Sequence, residues 1–220
     1  MKLKTTLLVL CGIVSVGATW GASAPQPRTL HYELEVKSAS FGNMGARKMW
    51  IKGDNMRWEA KTDRFSLKLI KNKQGVFLIH PWNKYAARYP DGSSRGNPRV
   101  LFPGPTGPIR DFLAEVKATK HGIQKTRNEQ CNVYNYTDPF TRHQAKMWVS
   151  AKSGKPVQLL LKGERGKADT ITAAYTKFEL GGNAPDSLFE LPKGYAIRPM
   201  PARKLASKTA AERPKDRKSG

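Results

Sequence analysis

The chain has 220 residues, 39% of them hydrophobic, with 39 Lys and Arg against 17 Asp and Glu and a formal net charge of +22. Such a field attracts polyanions (acidic lipid head groups, lipopolysaccharide, acidic polysaccharide or nucleic acid) without choosing among them. Cys11 and Cys131 are the only cysteines, and Cys11 falls in a leader segment, which excludes a disulfide-stapled fold and leaves stability to a buried core.

Residues 1–24 read as a signal peptide. Lys2 and Lys4 form a basic n-region, Leu7 to Val16 an apolar h-region, and Ala22-Ser23-Ala24 a processing site. The apolar run is shorter than the ~20 residues of a membrane-spanning helix, and no later stretch is apolar enough to span a bilayer. Leu10 occupies the position before Cys11, where a bacterial lipoprotein signal wants a small residue. Cleavage near Ala24 is expected to leave 196 residues of an exported protein, periplasmic where the cell has two membranes and otherwise secreted. The mature charge is then +20, of which residues 25–197 carry +14 and a tail at 198–220 carries +6. The tail is rich in Lys, Arg, Ala, Ser and Pro, a composition that predicts disorder.

Between leader and tail the pattern is that of strands. Leu30, Tyr32, Leu34 and Val36 alternate with His31, Glu33, Glu35 and Lys37, the period of a strand with one apolar face. A Gly- and Asn-containing turn at 38–46 leads to strands at 46–52, 55–61, 65–71, 76–80 and 84–89. Within 55–61, Met56, Trp58 and Ala60 claim one face and Arg57, Glu59 and Lys61 the other. Gly53-Asp54-Asn55 and the segment 72–75 are turn chemistry. The loop at 90–107 is broken by Pro98, Pro103 and Pro105 and carries an apolar patch at Val100, Leu101 and Phe102. Pro108 suits the first position of a helix, Asp111 and Glu115 complement its dipole, and Ile109, Phe112, Leu113 and Val116 share one face. This helix is expected to plug the open side of a sheet or to act as a lid over a cavity.

Strands resume at about 122–127, 130–137, 144–151, 156–162 and 168–178, and one helical turn within Pro185–Pro192 closes the domain. Lys146-Met147-Trp148-Val149 echoes Lys48-Met49-Trp50-Ile51, which suggests matched hairpins in one sheet. The predicted fold is mainly β: a single strongly curved antiparallel sheet of about ten strands, an unclosed half barrel with one covering helix. A curled sheet with an apolar inner face and a lid encloses a pocket.

Chemistry of the catalytic kind is not legible. His31, His80, His121 and His143 are scattered without paired ligand spacing, so no metal site is expected. There is no nucleophile elbow, no Cys-x-x-Cys pair and no phosphate-binding glycine loop, so neither an enzyme nor a cofactor is predicted, and no motif points to specific nucleic-acid recognition. Glu33 and Glu35, two apart on one strand, read as neutralising basic neighbours, and Cys131 as a half-buried small apolar residue.

Several segments resemble the LolA-like periplasmic lipoprotein carriers. Trp50 to Glu59 is similar to their W-(hydrophobic)-K-x-x-x-x-R-W-E segment, and Gly75 to Pro81 to the hairpin that follows it. Trp148 to Leu161 matches their W-V-x-x-x-S-G-x-P-V-x-L segment, and Asp186 to Ile197 the S-L-F-x-L-P-x-G-Y close. Together these cover most of 30–197 in the right order. The Pro–Gly loop at 103–108 and the basic tail have no counterpart there. The resemblance implies an unclosed barrel with a helical lid over an apolar cavity for acyl chains. It also implies that Arg57, at the position of the R-W-E arginine, latches the lid by hydrogen-bonding its backbone. Strand alternation offers Arg57 a different place, on the outer polar face with Glu59 and Lys61.

The expected cavity lining is Met56, Trp58, Leu67, Leu69, Phe77, Met147, Val149, Leu159 and Leu161, with Ile109, Phe112, Leu113 and Val116 as the lid; the plainer alternative makes the same residues a filled core. The function read from this is a non-enzymatic carrier or chaperone of the cell envelope that takes an acyl chain or lipid, or a lipoprotein through its acyl chains. Each buried methylene contributes ~0.8 kcal/mol, so such a ligand needs no polar constellation. The alternative is an adaptor that binds acidic head groups or other polyanions through its basic surface and tail.

Overall fold

A computed structural model describes residues 29–62, 65–90, 92, 104–163 and 166–200. The expected leader, the apolar patch at 100–102 and residues 201–220 of the expected tail lie outside the described residues.

Twelve strands form one sheet: β1 (Thr29–Ser38), β2 (Gly42–Lys52), β3 (Asn55–Lys61), β4 (Ser66–Asn72), β5 (Gly75–His80), β6 (Tyr85–Arg88), β7 (Thr119–Thr126), β8 (Glu129–Thr137), β9 (Gln144–Ser150), β10 (Pro156–Gly163), β11 (Gly166–Leu180) and β12 (Ala196–Pro199). One helix, α1 (Ile109–Glu115), separates β6 from β7, and a 3-10 turn at Asp186–Phe189 precedes β12. Pro108 stands at the N-cap of α1, one place before the first helical position expected of it, and Asp111 lies in the first turn.

The strand order is β12-β6-β5-β4-β3-β2-β1-β11-β10-β9-β8-β7. Two antiparallel meanders, β1 to β6 and β7 to β11, are therefore sewn together where β11 returns to pair with β1, with Leu30 opposite Leu180 and Tyr32 opposite Phe178. The sheet departs from a purely antiparallel one at a single pair, since β12 runs parallel to β6. This strand includes Arg198 and Pro199, the first two residues of the expected tail. Arg198 lies with Cζ 4.9 Å from the centroid of the Tyr85 ring, which ties the first basic residue of the expected tail to the sheet.

Register breaks at Glu33/Leu34, Glu35/Lys37, Lys120/Gly122, Pro156/Gln158 and Leu161/Gly163 bend the sheet locally. Gly45 lies beside one of them. Its φ is +76°, and a Cβ there would meet the Lys61 carbonyl oxygen at 2.1 Å, so only glycine lets β2 approach β3 at this point. The curled sheet is unclosed, and its two edges are protected differently. β7 is exposed almost throughout and carries Lys120 and Lys125, and β12 is short and contains Pro199; charge, shortness and proline all discourage pairing with another chain.

The main core lies on the concave face. Leu30, Tyr32, Leu34 and Val36 of β1 pack there with side chains from β2–β4, β8–β11 and α1. Met147 and Leu159, opposite one another on β9 and β10, are both fully buried. Truncation there removes methylenes that the surroundings cannot replace. Leu159→Ala is expected to cost about 2–5 kcal/mol of stability, measured by urea unfolding.

Candidate ligand cavity and its closure

The register places the predicted lining residue by residue. Rows of side chains on one face run Trp58–Leu69 across β3 and β4, and Met147–Leu159 across β9 and β10. Met56, Trp58, Leu69, Met147, Val149, Leu159 and Leu161 all belong to the concave cluster, and Leu67 packs at its margin, partly buried. α1 covers this face with Ile109, Phe112 and Val116 buried in the same cluster and Leu113 packed against it. Phe112 meets Tyr136 of β8 edge-on, with ring centroids 5.6 Å apart. All four predicted lid residues therefore belong to, or pack against, the same apolar cluster that holds the predicted lining other than Phe77.

Phe77 is a correction. It pairs with Ile70, which pairs with Arg57, and that row faces the convex side. Phe77 is buried there with Ile70, Ile79 and Ala86 against Leu191 and Tyr195. The segment from Ala184 to Pro199 crosses this side as a strap on its way to β12. Because the strap makes the convex face apolar too, β4 and β5 show apolar residues at both parities, and alternation alone gives no face to Phe77.

Arg57 is the second correction. It lies on the convex face, as strand alternation allowed, and it latches the strap and not α1. Its Nη1 donates to the Leu188 carbonyl at 3.0 Å, its Nε to Glu59 Oε1 at 2.8 Å, and its Nη2 forms a short ion pair with the same carboxylate. Its Cζ is 5.7 Å from the Trp50 ring centroid. Two neighbours repeat the arrangement: Asn72 Nδ2 donates to the Phe189 carbonyl at 2.8 Å, and Lys52 Nζ to the Ala184 carbonyl at 3.1 Å and to Asp186 at 2.7 Å. The strap thus has its carbonyls satisfied by three side chains from β2, β3 and β4.

Polar groups inside the concave face went unread in the sequence. Tyr32, Tyr175 and Phe178 form an aromatic cluster, with Tyr32 and Tyr175 centroids 5.7 Å apart. Burial pushes the Tyr175 hydroxyl well above the ordinary value of 10, and the nearby hydroxyls of Tyr32 and Tyr136 add to the effect. Among the described residues, neither the Tyr175 hydroxyl nor Trp58 Nε1 finds a hydrogen-bond partner, although both are buried. Arg47 is buried as well, and its Cζ lies 6.0 Å from the Trp58 ring centroid. The signal for it was available: Arg47, Met49 and Ile51 share the parity of β2 that faces inward.

Where α1 ends, a groove of about 560 Å³ reaches the core residues Tyr136 and Ala145 and is edged by Lys117, Lys146 and Lys162. No group of three or more His, Cys, Asp and Glu is placed to hold a metal ion among the described residues. Nor is any helix there long and apolar enough to cross a membrane. Cys131 is fully buried, with Val133, Trp148 and Val157, on the convex side, deeper than the half-buried position expected of it. Burial, helped by the charge of Glu129, raises its thiol pKa, the opposite of what a nucleophile needs.

No family model matches this sequence, and no curated protein matches it. Solved structures do. An uncharacterised conserved protein from Thermus thermophilus shares the fold at a TM-score of 0.52 and 9% identity, with 77% of this chain and 90% of that one covered. A LolA superfamily protein from Nitrosomonas europaea is similar at a TM-score of 0.35 and 11% identity, covering 76% and 91%. The MucA/MucB complex of Pseudomonas aeruginosa is similar at 0.40 and 14%; the alignment covers 73% of this chain but 55% of the other. Among the described residues the architecture is a half barrel, a single large unclosed sheet with one helix.

The strap latch has a pH signature. Burial would raise the Glu59 pKa, but the hydrogen bond and charge of Arg57, followed by Lys68, outweigh this and hold it below its ordinary 4.5. Its contribution to stability is therefore complete above 4.5 and is lost as pH falls through the lower folded-state value. Arg57→Met is expected to shift acid unfolding to higher pH and to speed hydrogen exchange at the amides of Ala196 and Met200, which bond to Lys84 and Arg88. Amides of β9 and β10 should keep their protection.

Proposed function

We propose that the protein is an exported, non-enzymatic carrier or chaperone of the cell envelope that takes an acyl chain between α1 and the concave face. The chain belongs to a free lipid or to the acyl part of a lipoprotein. The observation that carries this reading is the closure itself. A continuous apolar cluster, from Leu69 on β4 to Tyr136 on β8, takes in Ile109 and Phe112 of one seven-residue helix and Val116 at its C-cap, with Leu113 packed at the edge.

Magnitudes favour exchange of helix for ligand. Re-exposing three such side chains costs about 5–9 kcal/mol at ~1.5–3 kcal/mol each, while an acyl chain burying ten methylenes contributes about 8 kcal/mol. The two are comparable, so binding and release can both proceed without a further energy source. A helix this short is unstable alone in water, and displaced from the sheet it loses its reason to stay helical. The resemblance to the lipoprotein carriers supports the same reading.

A second reading keeps the basic surface as a polyanion-binding or adaptor face, favoured by the lysines around the groove at the end of α1. Salt separates the two. Acyl binding persists in high salt, whereas polyanion binding weakens steeply.

Native mass spectrometry of protein purified from the envelope in high salt, followed by organic extraction, is expected to show a bound lipid or acylated peptide. Leu69→Asp is expected to abolish that mass shift. Protein of bare polypeptide mass that also fails to take up added lipid would refute the carrier reading and leave the basic surface as the working site.

A further inference from the structure

Among the described residues, one buried side chain of the concave face carries a permanent charge. Arg47 is opposite Leu34 on β1 and Ala60 on β3, residues each 1% exposed, and is itself 8% exposed. Its five N–H donors meet one protein acceptor, the Ala46 carbonyl at 3.0 Å from Nη1. No carboxylate among the described residues pairs with it. The contrast with the other face is plain: Lys48 pairs with Glu33, Lys52 with Asp186, Arg57 and Lys68 with Glu59, and Lys177 with Glu179, all on the convex side. Acidic residues are thus spent on half-exposed cations and withheld from the buried one.

A core that needed only filling would place Met or Leu at this position. Burying a guanidinium is costly unless it is paired, and the Trp58 ring offsets part of that cost through its π-face. Burial draws the Arg47 pKa down from its ordinary 12.5. Guanidinium donors lie in a planar fork that matches two oxygens of a carboxylate or phosphate. Trp58 Nε1, also without an acceptor, belongs to the same ring that flanks Arg47.

We propose that Arg47 is an anion anchor: the acyl ligand of this protein is a single-chain amphiphile whose carboxylate or phosphate head enters the concave face and pairs with this guanidinium, while the tail lies along the apolar rows. The inference rests on the carrier reading above and sharpens it by giving the ligand a charged head. The head is buried beside Trp58, not held at the lysine-edged groove.

The test compares dodecanoate, dodecyl phosphate and methyl dodecanoate, each below its micellar concentration, by calorimetric titration into the full chain in high salt. Wild-type protein is expected to bind one or both anions about ten- to a hundredfold more tightly than the ester, the range of hydrogen bonds to a charged group. The tighter of the two identifies the head group. Arg47→Met should bring the anions down to the ester's affinity and leave the ester unchanged, and Arg47→Lys should restore part of the preference. Replacing Lys117, Lys146 and Lys162 by Ala should leave the preference intact. Without ligand, Arg47→Met is expected to melt at or above the wild-type temperature, because it removes an uncompensated buried charge; a merely structural arginine would give a lower one. Equal binding of anions and ester by wild type, which needs no variant to measure, would overturn the anchor and leave the carrier reading standing. So would a preference that follows the groove lysines. If none of the three binds, the ester included, the carrier reading falls and the anchor with it.

Discussion

The rest of the structure depends on one constraint: a single twelve-stranded sheet with apolar side chains on both faces has to cover both. Twist alone brings the two halves of the concave face towards each other. The register breaks increase that curl locally, but one side stays open, and α1 fills it. The convex face cannot be covered by curling, because its side chains splay apart. There the chain uses its own end, laying the strap over Ile70, Phe77, Ile79 and Ala86. A smaller apolar group of Cys131, Val133, Trp148 and Val157 sits on the same side of the other half, where Trp148 Nε1 reaches Gln124 at 3.1 Å.

This division explains what could be read from the sequence. Where one face is apolar and the other wet, alternation is clean, and β1, β3 and α1 stand close to where the residues predict. Where both faces are covered, the signal vanishes. Leu69-Ile70 on β4 and Val76 to Ile79 on β5 are apolar at both parities, so the inward Leu69 could not be told from the outward Phe77 by pattern. β12 carries no pattern at all. Its four residues are exposed, it contains a proline, and its partner β6 lies more than a hundred residues earlier, so only tertiary pairing makes it a strand. Arg47 differs from these, since its parity with Met49 and Ile51 was legible; what hid it was the expectation that arginine faces water.

Arg57 and Arg47, three positions apart in register across the β2–β3 hairpin, show how one residue type serves opposite ends. Arg57 points outward, is answered by Glu59, and holds a backbone carbonyl of the strap. The resemblance to the carriers thus supplied the right chemistry, an arginine grasping backbone, with the wrong segment in its grasp. The physical reason is parity: Met56 and Trp58 own the inward positions of β3, so Arg57 has no path to α1. Arg47 points inward and has an indole and one carbonyl for company.

The two coverings also differ in how firmly they are held, and that difference bears on which one moves. The strap is fixed by charge-assisted hydrogen bonds from Lys52 and Arg57, by Asn72, and by a strand pairing at its end. α1 joins the concave cluster through Ile109, Phe112 and Val116, and its N-cap makes no side-chain hydrogen bond. Apolar contacts are non-directional, and the proposed carrier reading has an acyl chain take the place of these side chains on the same surface. No such substitute exists for the strap, whose removal strands Leu188 and Phe189 carbonyls and the Arg57–Glu59 pair. In the proposed carrier reading the cover that a ligand displaces is therefore α1, and it lies over the face that contains Arg47.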